Sequence, residues 1–67
     1  AILEMAKEWD KKGKIQHAIE GYDAVIEADP ESKEADQAKD ALLEIAKRYE
    51  QKGKKNSAYY LYHKLAD

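Results

Sequence analysis

The chain has 67 residues; 29 are hydrophobic, but 11 of these are alanine, leaving 18 large apolar side chains for a core. That supports one small domain of marginal stability and no second one. The absence of cysteine excludes disulfides and thiolate metal sites, and no apolar run is long enough to span a membrane. A net charge of −2 over 26 charged residues of mixed sign argues against nucleic acid or an acidic membrane surface as the main partner.

Ala, Glu, Lys, Leu and Arg supply 36 of the 67 residues, the composition of long helices. The helix breakers are Gly13, Gly21, Pro30 and Gly53. An all-α domain of four helices is predicted. The first helix runs over about 1–12, with Ile2, Met5, Ala6 and Trp9 as its inward stripe. Gly13 ends it in a left-handed conformation. The second helix spans about 16–28 and turns Ala18, Ile19, Tyr22, Val25 and Ile26 inward. Gly21, inside it, marks either a close helix approach or a tolerated surface position.

Asp29-Pro30 punctuates the chain, with either Asp29 or Ser32 capping the third helix. That helix spans about 31–52, with Ala35, Ala38, Leu42, Ile45, Ala46 and Tyr49 inward, and stops at Gly53. The fourth is capped by Asn56 and runs to the end, with Ala58, Tyr62 and Leu65 inward.

Shifting the chain by 40 residues aligns 3–22 with 43–62 at nine identities of twenty. The identities include Leu3/Leu43, Ala6/Ala46, Lys7/Lys47, Gly13/Gly53, Ala18/Ala58 and Tyr22/Tyr62. The chain is therefore a duplicated helix–turn–helix, with copies at 1–30 and 31–67.

These residues resemble the tetratricopeptide repeat. Ile2, Met5, Ala6 and Trp9, and again Leu42, Ile45, Ala46 and Tyr49, match the opening pattern of that family. Ala18, Tyr22 and Pro30 match its second half. The family period is 34 residues against 40 here, which is similar to the elongated repeats of bacterial envelope proteins. Lys55 also stands where Ile15 keeps the usual apolar turn residue. The resemblance implies two antiparallel helix pairs stacked as a short right-handed solenoid. It further implies a protein or peptide partner held on a concave groove lined by the first helix of each pair. One face away from the inward stripes, that groove is Leu3, Lys7 and Asp10 with Leu43, Lys47 and Glu50. The groove lacks the asparagines by which one subclass grips C-terminal carboxylates, so that ligand is disfavoured.

Each feature also has a plainer reading. Trp9 sits in the middle of a stripe and is expected in the core. Lys7 with Asp10, and Lys47 with Glu50, are spaced to form weak surface pairs. His17 and His63 occupy non-equivalent positions with no third donor, so no metal is expected, and no cofactor or catalytic residue is implied. Asp36 and Asp40 have no cleft to shift their pKa, and an enzyme is not expected. Tyr59, Tyr60 and Tyr62 form the most unusual cluster. They serve as a candidate self-association face, and a homodimer through the fourth helix is the alternative to a peptide-binding role. The opening residues carry acids too early for a signal peptide, and the start within a repeat suggests an excised fragment, a trimmed chain or a disordered upstream segment. The compartment, cytoplasmic or periplasmic, is not legible.

Overall fold

A computed structural model describes residues 1–66, and all regular structure among them is helical. The helices are α1 (Ile2–Lys11), α2 (Ile15–Ala28), α3 (Lys33–Gln51) and α4 (Lys55–Ala66). Each packs against the next in chain order, so short connections fold them back and forth into a slab of 31 × 28 × 13 Å. None of the four is long and apolar enough to cross a membrane.

The two glycine turns are near copies. Gly13 and Gly53 have φ of 80° and 81°, the left-handed region that a Cβ disfavours. The next amide reaches back to close each helix: Lys14 N–H donates to the Trp9 carbonyl at 2.8 Å, and Lys54 N–H to Tyr49 at 2.8 Å. Of the two capping options for α3, the structure takes Ser32. Its hydroxyl accepts from the Ala35 amide at 3.0 Å and donates to the Asp29 carbonyl at 2.8 Å. Asn56 is not the cap of α4, because the helix already begins at Lys55, with the Lys54 carbonyl taking the Ala58 amide. The fourth helix was also expected to include Asp67, which lies outside the described residues.

The core joins Leu3, Ala6, Ala18, Ile19, Tyr22, Val25, Ala38, Leu42, Ile45, Ala46 and Leu61. Gly21 is there for close approach: a Cβ at that position would stand 2.9 Å from Ala6 Cβ and 3.2 Å from Trp9 Cζ3. At the equivalent place in the second copy, Leu61 is among the most deeply buried side chains. The fourth helix is apolar nearly all round, so its pattern did not single out Leu61 beside Tyr62 and Leu65, which are half-buried.

The inward stripe of α1 requires correction. Ile2 and Met5 are 49% and 51% exposed, while Leu3 is 7% exposed and in the core. The physical reason is position in the stack. The duplicates of Ile2 and Met5 are Leu42 and Ile45 of α3, which the body of the protein covers, whereas α1 is one of the two end helices. Trp9 is half-buried and packs on the core from its edge, with the His17 ring tilted at 5.7 Å.

Candidate functional site

Of the six residues expected to line a groove, Lys7, Lys47 and Glu50 are exposed, Asp10 and Leu43 half-buried, and Leu3 buried. Lys7 and Lys47 project from α1 and α3, with side chains 47% and 53% exposed. Leu3 is the clear departure, because at 7% exposure it belongs to the core cluster and not to an open face. Glu50 remains exposed but is engaged, as described below.

Neither lysine makes the pair that spacing suggested. Each turns toward the amino end of its own helix: Lys7 to Glu4 at 3.6 Å and Lys47 to Glu44 at 4.0 Å. The carboxylates at the next turn are occupied by other donors. Asp10 accepts two bonds from one Arg48 nitrogen, at 3.0 and 3.1 Å, which ties α1 to α3. Glu50 accepts the Tyr62 hydroxyl at 2.9 Å. With both acids satisfied from within, the lysines face only exposed glutamates at long range, and such pairs are weak. Arg48 was absent from the sequence reading. Its partner lies 38 residues away, and no local spacing rule reaches that far.

A concavity of about 460 Å³ opens between α2 and α4. Ile19 and Asp23 form one wall, Tyr60 and Lys64 the other, and Tyr49 contributes from α3. Lys64 bridges the walls, with its ammonium 2.9 Å from Asp23 and 5.7 Å from the Tyr60 ring centre. The bond to Asp23 holds the Lys64 ammonium above its ordinary pKa, with a smaller opposing effect of desolvation. Of the proposed self-association face, Tyr59 and Tyr60 are exposed, but Tyr62 is half-buried and spends its hydroxyl on Glu50.

Among the described residues, no three His, Asp or Glu side chains converge to hold a metal ion. His17 lies 3.9 Å from Glu20 on an exposed helix face.

Two tyrosines carry a pH consequence. Tyr22 is pushed above its ordinary pKa of 10.0, first by burial and then by the Asp10 charge. Tyr62 is raised too, by desolvation and by its bond to Glu50. A tyrosine whose folded pKa is raised holds its proton to higher pH in the native state than in the unfolded chain. Its contribution is therefore complete below about pH 10 and fades as pH rises through the folded value. Lys64 has the same sign, since its folded pKa is also raised. The expected result is a urea midpoint that holds up to about pH 10 and falls as pH rises beyond it, and falls less in Tyr22→Phe. A midpoint equally pH-sensitive in both proteins would remove Tyr22 from that account.

In comparisons with protein-family models, with curated proteins and with solved structures, none matches this chain.

Proposed function

We propose that the chain is a two-repeat tetratricopeptide-like solenoid that binds protein or peptide segments on the face shared by α1 and α3. The observation that carries this reading is the recurrence of Lys7 and Lys47 on that face, 40 residues apart in sequence, with the neighbouring acids already engaged. Leu43, half-buried beside Lys47, adds an apolar contact. The ligand such a face suits carries acidic residues interleaved with aliphatic ones, held by charge-assisted bonds to the two ammonium groups. The pairing of successive helices, the repeated glycine turns and the flat shape all support the solenoid.

The test is fluorescence anisotropy with labelled peptides of alternating Glu and Leu, and with Lys-for-Glu versions as controls. Lys7→Glu with Lys47→Glu should abolish binding of the acidic peptides while leaving helical content unchanged, because both side chains are exposed. Equal binding by wild type and double variant would discard this face.

A further inference from the structure

Four large apolar side chains are exposed: Ile2, Met5, Tyr59 and Tyr60. Through the 40-residue duplication, three of them are counterparts of residues the protein buries within itself. Ile2 corresponds to Leu42 and Met5 to Ile45, which are 0% and 1% exposed. Tyr59 corresponds to Ile19, which is buried as well. These buried counterparts all belong to the junction between α2 and α3. There α2 packs on α3, with Ile15, Ile45 and Tyr49 bordering one small cavity, Ile19 and Tyr49 a second, and Ile26 and Leu42 a third. The outer side of α1 is thus one half of that junction without its partner. The outer side of α4, with Tyr59 and Tyr62, is the other half.

We propose that these two faces bind each other between molecules, so that copies of this chain stack head to tail and repeat the α2–α3 junction at every contact. Ile2, Met5 and Trp9 of one molecule cover Tyr59 and Tyr62 of the next. Two different surfaces meet, so the contact is heterologous and can propagate beyond two chains. It does not end at a two-fold dimer through α4, the arrangement that the tyrosine cluster alone suggested. This inference is independent of the lysine face in the proposed function.

The same correspondence shows what limits the contact. Within the chain the two copies are also tied by Arg48 of α3 to Asp10 of α1. Between molecules the equivalent positions are Glu8 and Glu50, which are like charges. Lys55 replaces Ile15, and Ala66 replaces Ile26, which also removes apolar area. Stacking is therefore weaker than the internal junction and is strengthened by salt, which screens the two glutamates.

Sedimentation velocity from micromolar to submillimolar protein, at low and high salt, tests the proposal. Average mass should climb past two chains with concentration, and further at high salt. Met5→Glu blocks one face and Tyr59→Glu the other; both positions are exposed, so both variants should keep wild-type helicity by circular dichroism. Each alone should stay monomeric, while an equimolar mixture should form a one-to-one dimer through the faces left intact. Ile2→Glu in place of Met5→Glu guards against an unfolded variant. Glu8→Arg recreates the missing ion pair with Glu50 and should tighten association several-fold at low salt. A single-chain mass at all concentrations, in wild type and in Glu8→Arg, would overturn the proposal. So would a dimer that stops at two chains and persists in Met5→Glu, because that contact would be α4 on α4.

Discussion

Leu42→Ala is expected to leave the protein mostly unfolded at room temperature. Leu42 is among the largest fully buried side chains, at the centre of α3 and within the single core. Truncating such a leucine costs about 2–5 kcal/mol, from lost transfer energy and from the cavity left behind. A core in a chain of this size rarely supplies more than about 3–5 kcal/mol in total. The duplication provides an internal control. Ile2 holds the same register in the first copy but is half-exposed, so Ile2→Ala should shift stability by about 1 kcal/mol at most. Urea melts followed by circular dichroism, at protein concentrations too low for association, compare the two. Equal shifts in midpoint would mean that α3 is not the covered helix.

Gly21→Leu is expected to be nearly as damaging, for the opposite reason. The Cβ alone would come within 2.9 Å of Ala6 Cβ, which is fixed to the α1 backbone and cannot rotate away. Overpacking of this kind costs about 1–3 kcal/mol or more, and the remaining leucine atoms must also displace Trp9. Gly21→Ala is the milder version, in which a helix-propensity gain of about 1 kcal/mol opposes the clash. The two effects separate in a double-mutant cycle with Ala6→Gly, which removes the colliding atom. A favourable coupling energy is expected, and an additive result would mean that α1 and α2 do not meet here. Gly13→Ala tests a different property, since nothing stands within 4 Å of a Cβ there and its cost of about 1–2 kcal/mol comes from φ alone.

Several features of the candidate site were legible because they depend on local spacing. Lys7 and Lys47 were marked by the repeat, and both are exposed on equivalent helices. What those lysines touch was not legible. Rotation toward Glu4 and Glu44, instead of the acids on the next turn, follows from Arg48 and Tyr62 occupying Asp10 and Glu50. Both donors come from other helices. The cleft between α2 and α4 was missed for the same reason, as its walls are more than thirty residues apart in sequence.

Composition, breaker positions and periodicity by themselves determined an all-α chain of four helices with glycine turns at Gly13 and Gly53. These are properties of single turns of backbone, governed by propensity and by the positive φ that glycine accepts. Burial is a different kind of property. Ile2 and Leu42 carry equivalent patterns, yet one is half in water and the other is sealed. An amphipathic stripe states which face of a helix can be covered, and only the neighbour that lies against it decides whether it is. Here α3 has helices on both sides, while α1 and α4 each have one. The tertiary structure therefore decided that Leu3 belongs to the core and that Gly21 is a point of helix contact. It also decided that the apolar faces of the two outer helices remain uncovered within a single chain.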